Sequence, residues 1–481
     1  MPTQPTGTGA MSRNDAIARA LHYFDSGVFL RELERRVARP TESQIAGHAT
    51  ELTTYLTDEI VPSIAPLGFS STIIDNPHPG RGAFLIAQRI EGDDLPTALI
   101  YGHGDTVIGY PEQWRGGLAP WRVTVEGDRW YGRGTADNKG QHTINLAALA
   151  QVMAARGGQL GFNAKILLEM GEETGSPGLR AVCRQHRAAL TADVLIASDG
   201  PRLAAEQPTI FLGSRGLCNF DLVVDLRAGS HHSGNFGGLL RNPGTVLANA
   251  IASLVDARGR ILVSGLRPPA IPDSVRAALR DVTVGGGKDD PAIDAGWGEP
   301  GLTNEERLFA WNALEVLAFK TGDPDAPLNA IPPNARASMQ LRFVVGTDWQ
   351  NILAAVRAHL DAEGFGMVQV VPTRSEIMVA TRLDPHNGWV DWALRSMTQT
   401  TGKKPVLLPN LAGSLPNDIF ADLLGLPTLW VPHSYPACSQ HAPDEHLLGS
   451  VAREGLAIMA GLFWDLGELG AASAEKMTAA T

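Results

Sequence analysis

Cysteine is scarce in this chain: Cys183, Cys218 and Cys438 are the only three in 481 residues, and no two form a CxxC pair. An odd, sparse set builds no disulfide framework, so a reducing, cytoplasmic setting is expected. Long apolar runs are missing as well. No stretch approaches the roughly 18 uninterrupted apolar residues that a membrane span requires. The start, Met1 to Asn14, is rich in Pro, Thr and Gly and lacks the basic region and apolar run of a secretory signal. Positive charge is in deficit, with 40 Lys and Arg against 51 Asp and Glu and a net charge of −11. That sign repels phosphate backbones and anionic membrane surfaces, so neither a nucleic acid nor a membrane is expected as a partner. What is present is ordinary globular composition, 44% hydrophobic and 19% charged, which excludes wholesale disorder. At 481 residues the chain is long for one core, and two to three structural units are expected.

Short apolar runs ending in Gly, Asp or His recur at Ala98–Tyr101, Ala164–Leu168, Val194–Ala197 and Thr428–Val431, and each reads as a buried strand. Helical spacing separates them, over Gln141–Ala155 and, after a small-residue cap, over Ser176–Ala189. Alternation of this kind predicts an α/β fold with helices on both faces of the sheet. The pattern changes after Arg215. Alternating strands at Leu222–Leu226 and Ala337–Val344, helices, and a Gly/Asp/Pro-rich excursion over Arg267–Thr303 follow; the excursion, with Gly285-Gly286-Gly287 and Asp289-Asp290, reads as an irregular loop or short elements. The expected organisation is a flexible start (1–14), a catalytic domain (15–215 and 382–470), an inserted α+β domain (216–381) and a frayed Ala-rich end (471–481).

Chemistry-bearing residues collect just past the predicted strands. His103 and Asp105 follow the first, Glu172 and Glu173 the second, and Asp199 the third. In open α/β sheets, groups at the carboxyl ends of strands converge on one crevice. Asp137, at a Gly-rich turn opening a helix, and His441, on a loop after the last strand, can reach the same place. Carboxylates crowded this way cannot all ionise unless cations compensate them. Imidazole and carboxylate donors without thiolate favour zinc, with manganese or cobalt as substitutes, and a pair of ions sharing one bridging carboxylate uses the set economically.

The chain resembles the co-catalytic dizinc exopeptidases, the family of carnosinases, aminoacylases, glutamate carboxypeptidases and succinyl-diaminopimelate desuccinylases. Five motifs occur in order: His103-Gly-Asp-Thr106, Gly132 to Gly140, Met170 to Ser176, Ser198-Asp-Gly200, and His441-Ala-Pro-Asp-Glu445. The resemblance implies a mixed-sheet metallopeptidase domain carrying an inserted lid that dimerises. It implies that Asp137 bridges two divalent metals, with His103 and Asp199 completing one site and Glu173 and His441 the other. Asp105 would accept the free ring N–H of His103 and fix its tautomer, and Glu172 would be the general base for the attacking water. In the lid, Gly229 to Gly238 resembles the family's HSG element. Its histidine, here His232, would polarise the scissile carbonyl, in many members from the neighbouring subunit. Asn329, Arg342 and the Gly413-Ser414-Leu415-Pro416 segment resemble the carnosinase-type residues that bind the substrate's free carboxylate.

Each residue also has a plainer reading. His446 competes with His441 for the last ligand position, Asp105 could merely close a turn, and Glu172 could cap a helix start. Arg342 could be a solvated strand residue, while Asn329 and Ser414 could be simple turn or loop residues. Trp114, Trp121 and Trp130 flank the motifs but read as packing residues, and Lys139 reads as structural. The expectation is a dimetal hydrolase that cleaves dipeptides or short peptides bearing a free carboxylate. An N-acyl or N-carbamoyl amino-acid amidohydrolase is the alternative, and a non-catalytic binding homologue the more distant one.

Overall fold

A computed structural model describes residues 11–285, 291–373 and 377–479. Its centre is an eight-stranded sheet in the order Ser70–Ile74, Phe84–Arg89, Asn163–Glu169, Thr97–His103, Val194–Ala197, Thr428–Trp430, Thr209–Phe211, Val406–Leu408. The four strands from Asn163–Glu169 to Thr428–Trp430 run parallel, with Thr97–His103 hydrogen-bonded on both sides. Alternation sorts their side chains into two cores. Ala98, Ile100, Ile166 and Ile196 enter one, while Leu99, Tyr101, Leu167 and Leu195 enter the other. Strands buried on both faces read as continuous apolar runs, which is why these four were legible.

The helix predicted over Gln141–Ala155 spans Lys139–Ala155 and is buried on nearly every side. It packs against Arg13–Asp25 and Gly449–Leu466 on the first core. The helix expected over Ser176–Ala189 is instead two pieces, Leu179–Gln185 and Arg187–Leu190, and its small-residue N-cap is Gly178, in the left-handed region, rather than a residue before Ser176. Residues 1–10 of the expected flexible start and 480–481 of the expected frayed end lie outside the described residues, and the described parts of both are ordered. Ser12 caps Arg13–Asp25 with a reciprocal capping box to Asp15. At the other end, Ala471–Ala479 is a helix whose Ala474 and Met477 pack on the first core.

Between Gly213–Ser214 and Thr381–Arg382, which pair antiparallel, the chain builds a second sheet. Its order is Ala313–Lys320, Asn334–Phe343, Gly216–Asp225, Gln369–Pro372, all antiparallel, with helices Pro243–Leu254 and Ile352–Ala362 over a separate core. Strand Ala313–Lys320 lies at the edge and exposes Val316, Leu317 and Phe319. Gly286, Gly287, Asp289 and Asp290 of the expected excursion lie outside the described residues. The rest of it contributes helix Asp273–Leu279, whose Val275 and Leu279 join the second core of the large sheet rather than the core of the inserted sheet. Its apolar residues at helical spacing dock it there.

Candidate metal centre

The site forms where parallel strands end. His103 is the last residue of its strand, Glu172 and Glu173 open a 3-10 turn just after Asn163–Glu169, and Asp199 stands two residues past Val194–Ala197. Asp137 comes from the turn before helix Lys139–Ala155, where the backbone is so tight that a Cβ on Gly140 would lie 1.9 Å from the Thr135 carbonyl oxygen. His441 comes from a loop in which Ser439, His441 and Asp444 all adopt the left-handed region uncommon for non-glycine residues.

These groups form two trios that share Asp137: His103, Asp137 and Asp199, and Asp137, Glu173 and His441. One oxygen of Asp137 serves each. His103 Nε2 lies 3.0 Å from Asp137 Oδ1 and 3.5 Å from Asp199 Oδ2. His441 Nε2 lies 2.9 Å from Asp137 Oδ2 and 3.0 Å from Glu173 Oε2. Asp199 Oδ2 is buried with no hydrogen-bond donor, which an adjacent cation would remedy. Two imidazoles and three carboxylates, without thiolate, are the donor chemistry of zinc and its divalent neighbours.

Charge explains the electrostatics. Burial raises Glu173 to about 7, with Asp137 adding to it. Burial also holds Glu172 well above the carboxylate range; Asp199, Glu173 and Asp137 reinforce the shift, and His103 opposes it. Burial opposes charge on His441, yet its bonds to Asp137 and Glu173 raise it to about 11. His103 is raised well above its usual range in the same way by Asp105, Asp137 and Asp199. Carboxylates crowded in this way recruit positive charge.

Surrounding groups hold the donors. His103 Nδ1 lies 3.1 Å from the Asp105 carbonyl oxygen and 3.3 Å from its Oδ1, which leaves Nε2 directed at Asp137. The carboxylate of Asp105 has a second task that the sequence did not suggest. It accepts the amide N–H groups of Glu172 at 3.1 Å and Glu173 at 3.2 Å, and so fixes the acidic turn. Glu445 was missed altogether. Its Oε1 accepts the amides of Gly134, Ala136 and Asp137 at 3.0, 3.0 and 3.1 Å, and its Oε2 accepts Arg133 Nη1 at 2.7 Å. One buried carboxylate thus ties the Asp137 turn to the His441 loop. Its place at the end of the last motif was the only signal.

His446, the competitor for the last ligand position, lies elsewhere: its Nε2 faces the Tyr435 hydroxyl at 2.6 Å and its Nδ1 the Asp444 carbonyl at 2.9 Å. Trp130 stacks on Phe24, and Trp114 is buried with its Nε1 donating to the Gly109 carbonyl. Lys139 donates to the Arg39 carbonyl at 2.6 Å, lies over the Tyr55 and Trp121 rings, and is pushed down to about 7 by burial. Arg342 and Ser414 come together across the two sheets, Nη1 to Oγ at 3.2 Å, and the Gly413 carbonyl accepts the Arg215 amide in the same loop. The unforeseen Asn417 is a buried tie, bonded to Thr381, Thr428 and Trp430, and Asp418 pairs with Arg180. His232 and Asn329 are not gathered at the cluster. His232 is exposed on a two-residue strand opposite Ala330, its Nδ1 accepting the Gly234 amide, and the Asn329 carbonyl accepts from Ser233. Among the described residues, neither bonds to a member of the trios.

The sequence profile of peptidase family M20/M25/M40 matches residues 99–465. The chain is 27% identical over 344 residues to a cysteinylglycine-S-conjugate dipeptidase of Corynebacterium striatum, covering 69% of this chain and 72% of that one. It is 33% identical over 186 residues to the Beta-Ala-His dipeptidase of Mus musculus, covering 38% of this chain and 37% of that one. In fold it is similar to the di-peptidase Dug1p of Saccharomyces cerevisiae, with a TM-score of 0.79 at 20% identity, covering 95% of this chain and 100% of that one.

Proposed function

The chain belongs to peptidase family M20/M25/M40 and is a metal-dependent peptide hydrolase, and we propose that it cleaves dipeptides bearing a free carboxylate with two divalent cations and Glu172. The observation that carries this reading is the division of Asp137, one oxygen to each trio. His103, Asp137 and Asp199 would hold one cation and Asp137, Glu173 and His441 the other, with zinc favoured by the donors. Bound cations of this kind supply Lewis acidity, polarising a peptide carbonyl and making water acidic enough to ionise near neutrality.

The chain's own groups do the rest. Glu172, held by Asp105 through its amide, takes a proton from the attacking water and returns it to the leaving amine. Arg342 and Ser414 receive the substrate's carboxylate. His232 polarises the scissile carbonyl from a second copy of the chain, a reading supported by its exposure here and by the uncovered edge strand with Val316, Leu317 and Phe319, which would be buried in a homodimer. A cytoplasmic setting belongs to the same reading: Cys183, Cys218 and Cys438 are all free and buried. Among the described residues no helix is long and apolar enough to cross a membrane. The deacylase alternative is not favoured, since the relatives are named as dipeptidases.

A panel of dipeptides set against N-acyl amino acids, with metal analysis of the same sample, tests the proposal. Turnover of dipeptides with about two metal ions per chain supports it. Exclusive turnover of N-acyl amino acids would overturn the substrate class.

A further inference from the structure

Behind the trio of His103, Asp137 and Asp199, the buried side chains of Tyr55, His142 and Asn138 bond in series. The direction of the series is set at its inner end. Asn138 Nδ2 donates to the Ser198 carbonyl at 2.8 Å, and a carbonyl can only accept, so Asn138 turns its Oδ1 the other way. There it accepts His142 Nδ1 at 3.2 Å. A neutral ring that donates from Nδ1 accepts at Nε2, and the Tyr55 hydroxyl lies there at 2.7 Å. Helical spacing aligns the inner pair, since Asn138 precedes helix Lys139–Ala155 and His142 stands one turn further on.

Every donor of the first trio is a chain neighbour of this series. Asp137 precedes Asn138, Asp199 follows Ser198, and His103 stands between Gly102 and Gly104. The series presses on the strand end at both glycines. A Cβ on Gly102 would lie 2.9 Å from His142 Cβ and 3.1 Å from Asn138 Oδ1, and one on Gly104 would lie 2.5 Å from the Tyr55 ring. Asp105 and Glu445 act on other groups, the His103 ring and the amides of Glu173 and Asp137. Without a donor at His142, the buried Asn138 oxygen would be left unsatisfied, which favours rotation of the amide away from Ser198. We propose that His142 is a positioning residue for the cation of the first trio: donating to Asn138, with Tyr55 behind it, it fixes the spacing of Asp137, Asp199 and the His103 strand end. The cation of the second trio does not depend on it. The inference rests on the two-cation reading above and goes beyond it by giving the two cations unequal support.

The test is zinc titration of the full chain in two backgrounds that each keep one trio whole. His441→Ala removes a donor of the second trio, and Asp199→Asn alters one of the first. In the His441→Ala background, adding His142→Leu is expected to weaken the remaining zinc about 10- to 100-fold, the size of a lost outer hydrogen bond to a metal site. In the Asp199→Asn background it should leave the affinity as it was. His142→Asn, whose amide nitrogen takes the place of Nδ1, should recover the affinity lost in His142→Leu, which packing alone would not give to a smaller side chain. Equal weakening in both backgrounds, no weakening in either, or no recovery with His142→Asn would overturn the inference. If His142→Leu does not fold, Tyr55→Phe decides the matter, since it keeps the packed ring and removes only the outer hydroxyl. Weaker zinc in the His441→Ala background alone then supports the inference, and unchanged zinc overturns it. A chain that binds one zinc or none before any substitution would overturn the two-cation reading, and this inference with it.

Discussion

Around Asp137 the side chain of His103 and the backbones of Asp137 and Glu173 are held by groups outside the trios, whereas on the inserted segment His232 and Asn329 stand on short exposed backbone with local bonds only. The first region is cross-tied, and all of its donors but the exposed His441 and the half-buried Glu173 are buried: Asp105 holds the Glu172–Glu173 turn, and Glu445 holds the Asp137 turn against the His441 loop. The second is open, and the same inserted segment carries an exposed apolar edge strand. A preorganised electrostatic site needs rigid walls. A lid that must admit substrate or meet a second copy cannot be as tightly tied before it does so.

Substitutions that sharpen this contrast should separate activity from stability. The largest loss is expected for Glu172→Gln, about 10²- to 10⁴-fold in kcat, with metal content and melting temperature unchanged; retained turnover would remove Glu172 as the base. Glu445→Gln should act on both. It leaves the buried Arg133 without its counter-ion, a loss of about 3–5 kcal/mol, and loosens metal binding about 10- to 100-fold, as read by denaturant unfolding and metal titration. Intact metal affinity in that variant would break the link drawn between the two loops.

Metal removal comes next. Chelation should destabilise the protein by about 2.7 kcal/mol when the free metal had been at 100 times its Kd, and the loss should reverse on adding zinc. A melting temperature indifferent to chelator would deny the cluster its cations. His232→Ala should lower kcat without moving stability, and mixing it with Glu172→Gln should restore part of the activity if the histidine serves a neighbouring copy. Absence of restoration in verified mixed dimers would place His232 in its own chain's site or outside catalysis. The smallest effect is expected for Leu317→Lys, which should weaken self-association by sedimentation while leaving the metal site intact.

The two regions also differed in legibility. The parallel strands of the large sheet were readable because residues such as Leu99 to Tyr101 and Leu195 to Ala197 are buried on both faces and so form unbroken apolar runs. Helix Asp273–Leu279 was hidden in a Gly- and Pro-rich stretch, and the helix at Ala471–Ala479 was hidden by Ala-rich composition. In both, contacts with a distant core decide order, and local propensity does not. His103, Asp137, Glu173, Asp199 and His441 were found because each sits in a short motif past a predicted strand. Arg215 and Glu445 were not, because an arginine or glutamate acquires meaning only from its partners.

From sequence alone came the α/β class, the absence of a disulfide framework, and the identity of the groups expected around the cations, since strand periodicity and donor chemistry are local properties. Folding decided that Asp137 divides its oxygens between two trios, that Glu445 collects three amides and Arg133, and that Arg215 is fixed on the loop of Ser414. Those outcomes depend on distances between segments hundreds of residues apart. Such distances are set by how the sheets and cores pack, and no local pattern in the chain encodes them.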